Sequence, residues 1–359
     1  MNRKTGVQKV RFLTKQDSVD LAWAEAGKGP PLVKAANWLS HLEYDWDSPV
    51  WRHWVQFFSE HYRFIRYDER GCGMSDWEVE DVSPRLWLGD LEAVVEASQP
   101  KEPFALLGIS QGGAPAVQFS IKYPEKVSHL ILYGAYAQGW GLRGNDEDIR
   151  QIQATIELIE IGWGKPNPIF RRLFTSLFLP EGTEEQLQWF DELCANTIKP
   201  AMAARLIQAR CEVDVFDLLP KVTVPTLVIH ARDDAPVPFS EGRKLASNIP
   251  NAEFVELDSC NHILLEHEPA WTRFKEAVLE FTGMSGALEG AEVFHALSER
   301  EKEILGKIVK GQTNIEIGEK LFISEKTVRN HITKIYEKLG VSSRAQAIVL
   351  ARDKNFKLN

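Results

Sequence analysis

The chain has 359 residues, 44% of them hydrophobic, and a formal net charge of −9. That length exceeds the size at which a single hydrophobic core usually stops growing, so two domains are expected. No apolar run approaches the ~18 residues needed to span a bilayer, and the opening MNRKTGVQKVRFLTKQ has no apolar signal core, so a membrane partner is excluded and a cytoplasmic location expected. Charge is unevenly placed. From Val293 onward 13 Lys and Arg face 8 Asp and Glu, a balance of +5, while the residues before it carry −14. A basic tail behind an acidic body points to a polyanionic partner for the tail. The four cysteines, Cys72, Cys194, Cys211 and Cys260, show no metal-like spacing, which fits a reducing compartment; no metal and no cofactor are expected.

In chain order, Val10 to Leu13, Val19 to Ala24 and Pro31 to Ala36 read as short strands, the first two forming a hairpin. A loop, Ala36-Asn37-Trp38-Leu39-Ser40-His41-Leu42-Glu43-Tyr44-Asp45-Trp46, follows the third. A helix near Ser48 to Ser59 leads to a strand at Phe64 to Tyr67 and then to a glycine-rich turn, Asp68 to Asp76, read as structural support beneath the site. Arg85 to Ala97 has amphipathic helical spacing. Phe104 to Leu107 is a buried parallel strand, Pro115 to Tyr123 a helix and Val127 to Tyr133 a strand. Helical stretches carrying several tryptophans and phenylalanines then run from about 138 to 222 and read as a cap inserted into the sheet. Strands at Thr226 to His230 and Ala252 to Leu257 resume it. Strands alternating with helices predict an α/β doubly wound, mostly parallel sheet, with active groups at the carboxyl ends of its strands.

Three groups fall at such ends. Gly108-Ile109-Ser110-Gln111-Gly112 is a strand-to-helix turn whose glycines leave room for Ser110 to stand out as a nucleophile. A serine hydroxyl needs a base to take its proton, and that histidine needs a carboxylate to fix its tautomer. His262, after the last strand, is the candidate base, with His41 and His230 as competitors. Asp234 is the candidate acid, with Asp233 as its neighbour and competitor. From about Val10 to Phe281 the chain resembles the α/β-hydrolases: a YDxRGxGxSD turn at Tyr67 to Asp76, the elbow at Gly108 to Gly112, a DxxxP segment at Asp234 to Pro238, and His262 followed by Glu266 and Pro269. The family's spacing of carboxylate and proline selects Asp234, and its final-strand position selects His262. Asp68 and Arg70 are left structural.

The resemblance also implies an oxyanion hole made of the backbone N–H groups of Trp38 and Gln111. The family has His-Gly before the first of these residues, whereas Ala36-Asn37 stands here. Loss of one donor costs ~10²- to 10³-fold in rate, so a slow enzyme is expected. The stretch Ser40 to Trp46, SHLEYDW, is similar to that of α/β-hydrolases fused to signalling output modules.

The tail begins after a small-residue linker, GMSGALEG. Ser298-x-x-Glu301 and Thr313-x-x-Glu316 are capping boxes, Gly311 can close the first helix, and Ser324 can cap a helix running to about Leu339. On that helix Val328, Ile332, Ile335 and Leu339 form an apolar face. Lys326, Arg329, Asn330 and Thr333 form a stripe able to read base edges, and Thr327, His331, Lys334 and Lys338 flank it as phosphate contacts. Leu297 to Ala347 closely resembles the LuxR/FixJ-type helix-turn-helix. That resemblance implies a bacterial transcription regulator that docks Ser324 to Lys338 in the major groove of double-stranded DNA, usually as a homodimer on an inverted repeat.

The expected organisation is therefore a hydrolase-like domain at 1–283 with its cap at about 138–222, a linker at 284–292 and a DNA-binding domain at 293–359. The expected function is transcription regulation, with the hydrolase-like domain binding, and with or without turnover hydrolysing, a small apolar ester or lactone. The alternative is a serine hydrolase whose helical tail serves assembly or autoregulation.

Overall fold

The computed structural model describes residues 8–144, 146–284, 294, 296–353 and 356, without the side chains of 148 and 353. The chain divides into two compact units, Met1–Lys275 and Glu276–Asn359. Of the expected linker at 284–292, all but Met284 lies outside the described residues.

The first unit is built on eight strands in the order β1-β2-β4-β3-β5-β6-β7-β8. They are β1 (Lys9–Thr14), β2 (Asp20–Ala26), β3 (Pro31–Lys34), β4 (Arg63–Tyr67), β5 (Phe104–Ile109), β6 (Val127–Tyr133), β7 (Thr226–Ala231) and β8 (Glu253–Leu257). The β1–β2 hairpin is antiparallel, as expected, and β2 pairs antiparallel with β4; every pairing beyond is parallel. β5 and β7 are buried along their full length, as strands covered on both faces must be, and their sequences FALLGI and TLVIHA are accordingly almost wholly apolar.

Helices α1 (Arg52–His61), α2 (Pro84–Ser98), α3 (Gly113–Lys122), α9 (Phe239–Asn248) and α10 (Pro269–Phe281) complete the sheet domain, and α4 (Trp140–Arg143), α5 (Asp146–Gly162), α6 (Ile169–Phe178), α7 (Glu184–Thr197) and α8 (Pro200–Cys211) form the cap. The cap's two ends are clamped together by a bridge between Gln138 and Asp214, with Gly139 N–H donating to Val213 O at 2.8 Å and Val215 N–H to Ala137 O at 2.9 Å. Trp54 on α1 meets both Trp271 and Phe274 on α10 at 4.7 Å between ring centroids, which locks these two helices over one face of the sheet.

Two boundaries differ from expectation for identifiable reasons. β3 ends at Lys34 rather than Ala36, because after Ala35 N–H donates to Leu107 O at 2.9 Å the chain peels away into the loop. α1 begins at Arg52 rather than near Ser48, because the Ser48 hydroxyl is spent accepting from the N–H groups of Val50 and Trp51 in the turn before it.

The second unit holds α11 (Glu299–Val309), α12 (Asn314–Leu321), α13 (Glu325–Leu339) and α14 (Arg344–Asp353). Both expected capping boxes are formed: Ser298 and Glu301 bond reciprocally, as do Thr313 and Glu316. Ser324 Oγ accepts from Thr327 N–H at 3.1 Å and Gly340, at a φ of 64°, ends α13. Val328, Ile332, Ile335 and Leu339 are buried against Ile304, Leu305 and Ile317. Removing the Thr313 hydroxyl should cost α12 about 1 kcal/mol. Thr313→Ala is therefore expected to speed hydrogen exchange of the α12 amides about 5-fold and leave β5 unchanged; unchanged α12 exchange would contradict the cap's role.

Candidate functional site

The turn between β5 and α3 forces Ser110 into the left-handed region, at a φ of 53°. A backbone so placed is strained for a residue with a side chain and persists only where neighbours over-determine it. They do so here. A Cβ on Gly108 would lie 2.7 Å from Gly113 Cα, and one on Gly112 would lie 2.8 Å from Ala36 O, so strand, helix and the loop after β3 close on each other only because both residues are glycine. The first of these contacts was expected; the second shows that Gly112 serves the loop carrying Trp38 rather than the strand.

His262 and Asp234 meet as the residue pattern anticipates. His262 Nδ1 donates to Asp234 Oδ2 at 2.6 Å, and Asp234 Oδ1 accepts from Val237 N–H at 2.8 Å. This carboxylate fixes the tautomer that leaves Nε2 unprotonated and facing the cavity. Tyr133 Oη donates to His262 O at 2.9 Å, and the Phe178 ring stands edge-on to the imidazole at 5.3 Å, so the end of α6 covers the histidine. Asp233 is exposed. His230 is buried, bonds through Nε2 to Val237 O at 2.8 Å and is held neutral by burial, which lowers its pKa. His41 lies in the loop, its ring tilted at 60° to that of Tyr44. After His262, the buried carboxylate is Glu268, which accepts from Ser259 Oγ at 2.5 Å, whereas Glu266 is exposed.

Ser110 and His262 line one cavity of about 130 Å³, together with Trp38, Gln111, Trp140, Phe174, Phe178 and Arg210. That volume is close to the ~150 Å³ of engineered cavities that admit benzene, so a small organic ligand fits. Among the described residues Ser110 Oγ has no hydrogen-bond partner; nucleophile and base share the cavity without being bonded. Such bonds often form only once a substrate is seated.

The oxyanion side is occupied by the protein itself. The Gln111 side-chain amide lies against Trp38 N and, at 3.2 Å, against Arg210 Nη2; only its oxygen can accept from both, so the Trp38 amide expected to serve an oxyanion is taken. Arg210 also donates to Glu69 Oε2 at 2.6 Å, and its guanidinium stacks 4.9 Å above the Trp38 ring. Burial pushes the Glu69 carboxyl up, opposed by Arg210. Asn37 accepts from Lys34 Nζ and donates to Trp38 O at 3.2 Å, which holds the loop where the family has glycine. Neither Glu69 nor Arg210 was singled out from the sequence. Glu69 is one acidic residue in a turn already read as structural, and Arg210 is one arginine on an amphipathic cap helix.

The glycine-rich turn anchors the loop after β3. Asp68 accepts from Ser40 Oγ at 2.7 Å, Leu42 N–H at 3.0 Å and Met74 N–H at 2.9 Å, pinning the Ser40 to Trp46 loop. Arg70 donates to Asp90 and to Asp17.

On α13 the residues expected to face DNA present their side chains outward: Lys326, Arg329, Asn330, Thr333, Lys334 and Lys338 are exposed, and Thr327 is half-buried. Four carry internal bonds, Thr327 Oγ1 among them, 2.8 Å from Ser324 Oγ. Arg329 pairs with Glu325 at 2.6 Å, Thr333 Oγ1 donates to Arg329 O at 3.2 Å, and Lys338 Nζ pairs with the buried Glu301 at 2.7 Å. The Arg329 bond is a solvent-exposed pair worth little, which a base edge can displace. Lys338 is tied to the capping box and is the least available of the set.

Residues 52–270 match the family described as "Serine aminopeptidase, S33", and residues 295–351 match "Bacterial regulatory proteins, luxR family". The chain belongs to the S33 family of α/β-hydrolases and carries a LuxR-type DNA-binding domain fused behind the hydrolase-fold domain. It is 29% identical over 240 residues to 2-hydroxy-6-oxononadienedioate/2-hydroxy-6-oxononatrienedioate hydrolase of Paraburkholderia phymatum, covering 63% of this chain and 78% of that one. It is 39% identical over 133 residues to the transcriptional regulatory protein LiaR of Bacillus subtilis, covering 37% and 61%. Its fold is shared with the esterase EaEST of Exiguobacterium antarcticum, with a TM-score of 0.62 and 24% identity over 76% of this chain and 98% of the other. Among the described residues no helix is long and apolar enough to cross a membrane.

A serine activated by His262 should react with a fluorophosphonate probe, and His262→Ala should abolish the labelling. Because the Gln111 side chain holds the Trp38 amide, wild type is expected to label slowly and Gln111→Ala several-fold faster, read by mass spectrometry over time. Equal rates in the two proteins would mean that the amide is not withheld.

Proposed function

We propose that this chain is a transcription regulator whose α/β-hydrolase-like domain, residues 1–283 with its cap at about 138–222, binds a small apolar ester- or lactone-type effector and hydrolyses it slowly or not at all. Residues 293–359 bind double-stranded DNA, as a homodimer in the cytoplasm, associated with the nucleoid when bound; 284–292 link the two. Ser110, Asp234 and His262 are the nucleophile, acid and base of any turnover, with the Trp38 and Gln111 amides as oxyanion donors. The observation that carries this reading is the occupied oxyanion side. An aromatic-lined cavity is furnished for binding, while one of the two donors that a tetrahedral intermediate needs faces the Gln111 side-chain amide, whose oxygen can accept from it. The 2.6 Å bond between His262 and Asp234 favours the second reading, a serine hydrolase with the tail used for assembly or autoregulation. A helix presenting Lys326, Arg329 and Asn330 to solvent has no use in that reading.

Coupling of effector to DNA needs differential binding and does not need bond cleavage. Ser110→Ala removes the nucleophile with little volume and should lower any hydrolysis by up to ~10⁶-fold. The variant is expected to keep the DNA response to intact effector, followed as DNA affinity against effector concentration with hydrolysis measured in parallel. A variant that binds effector normally and loses the response, which the hydrolysis product then restores, would make catalysis part of the switch.

The DNA surface has its own test, on sites recovered by chromatin mapping. Arg329→Ala should cost ~1 to 3 kcal/mol at one base position, whereas Lys334→Ala should weaken all sequences alike and lower the salt slope by about 1. Equal affinity for a mapped site and random DNA at physiological salt would remove the regulator reading.

A further inference from the structure

The unmet polar atoms on the cavity wall are of one kind. Among the described residues, three buried side-chain atoms on its wall lack a hydrogen-bond partner: Arg210 Nε, Trp38 Nε1 and Trp51 Nε1. All three are donors, and neither an indole nor a guanidinium offers an acceptor. A buried donor left unmet costs free energy, so what fills this cavity must bring acceptors.

Arg210 is built into place rather than swinging free. It is only 6% exposed, Nη1 donates to Leu206 O, and Nη2 is held by Glu69 and Gln111. Stacking over Trp38 at 4.9 Å and Trp87 at 5.7 Å fixes the plane of the guanidinium. Its Nε edge is thereby pre-organised with no protein acceptor to meet it. A second buried guanidinium, Arg143, stacks at 4.5 Å on Trp140 and 4.8 Å on Tyr136, both of which line the cavity. None of its nitrogens has a hydrogen bond, and the nearest carboxylate, Glu241 at 3.6 Å, is shared with Lys244 at 2.7 Å. The side of the cavity formed by Trp38 and Arg210 therefore presents unmet donors beside a buried cation.

We propose that the effector carries a carboxylate, seated on Arg210 Nε and Trp38 Nε1, with its apolar body among the cap phenylalanines and directed toward Ser110. A carboxylate has two oxygens and about four lone-pair sites, enough for every unmet donor, and its bonds to a guanidinium are about twice as strong as neutral ones. A neutral ester end offers fewer acceptor sites and no charge. This inference rests on the effector reading above and narrows it to a small acid, with any ester or lactone group at the opposite end.

The test is calorimetric titration of the full chain, without DNA, with hexanoate, methyl hexanoate and hexanol. Hexanoate is expected to bind at least ~10-fold more tightly than hexanol. The paired change Arg210→Gln and Glu69→Gln, which leaves no lone buried charge, should weaken hexanoate ~10-fold or more and methyl hexanoate less than ~2-fold. Trp38→Phe deletes one donor and keeps the ring; it should weaken hexanoate several-fold and serves should the double variant fail to melt cooperatively. Hexanoate binding no tighter than hexanol, or unaltered in the folded variants, overturns the proposal. Selective hexanoate binding that leaves DNA affinity unchanged upholds the acid site and removes only the sensing role.

Discussion

The closure of β5, α3 and the loop after β3 around Ser110 is the constraint on which the rest of the site depends. A left-handed serine at φ 53° is unfavourable in isolation, and it is tolerated because two glycines let three backbones approach within contact of one another. That approach sets the distance between Gln111 on the turn and Trp38 on the loop. It also places Ser110 at the carboxyl edge of the sheet, where β7 and β8 deliver Asp234 and His262. The cap then closes over them from the far side, with His262 N–H donating to Phe178 O at 3.0 Å.

Within that frame the chain departs from a hydrolase at one point, and the departure is local. Where a glycine would leave the oxyanion loop free to turn, Asn37 bonds both Lys34 and the Trp38 carbonyl, and the Trp38 amide faces the Gln111 side chain. The ring of Glu69, Arg210, Gln111 and Trp38 thus joins the glycine-rich turn, the cap, the elbow and the loop through one guanidinium. Buried polar networks of this kind specify a unique arrangement when every member is satisfied, and the two donors left unmet here, Arg210 Nε and Trp38 Nε1, belong to residues that line the cavity. Binding there would be felt simultaneously by four segments of the hydrolase-fold domain.

Much of this was legible in the sequence because it follows from local rules. Strand periodicity placed all eight strands with ends shifted by a residue or two, as where β5 runs on to Ile109 or where β3 stops at Lys34 because the loop peels off after Ala35, and helix α1 starts late because Ser48 holds the turn before it. Capping boxes at Ser298 and Thr313 and the apolar face of α13 gave the tail. The spacing of Asp234 to proline distinguished it from Asp233, which is exposed. What could not be read was long-range. Arg210 and Glu69 are 141 residues apart and individually unremarkable, and only the cap's fold brings them together. Nothing local marks Gln111 as more than the residue after the nucleophile, since whether its side chain or its backbone faces the hole depends on where the loop after β3 lies. The pairing of Lys338 with Glu301 was likewise hidden, because charge at a helical spacing does not reveal which partner lies across the bundle.

In the function proposed above, occupancy of the cavity and occupancy of DNA are energetically coupled. Coupling is reciprocal: whatever factor a ligand imposes on DNA affinity, DNA must impose on the ligand. The most direct measurement is hexanoate affinity of the full chain, by titration, with and without a saturating duplex from a mapped site. A regulator of the kind proposed shifts the hexanoate dissociation constant on adding DNA, by the same factor that hexanoate shifts the DNA constant, within the ~5- to 150-fold range usual for allosteric pairs. Identical hexanoate affinity in the free and DNA-bound protein, with both ligands bound at once, would show two independent domains on one chain and contradict it.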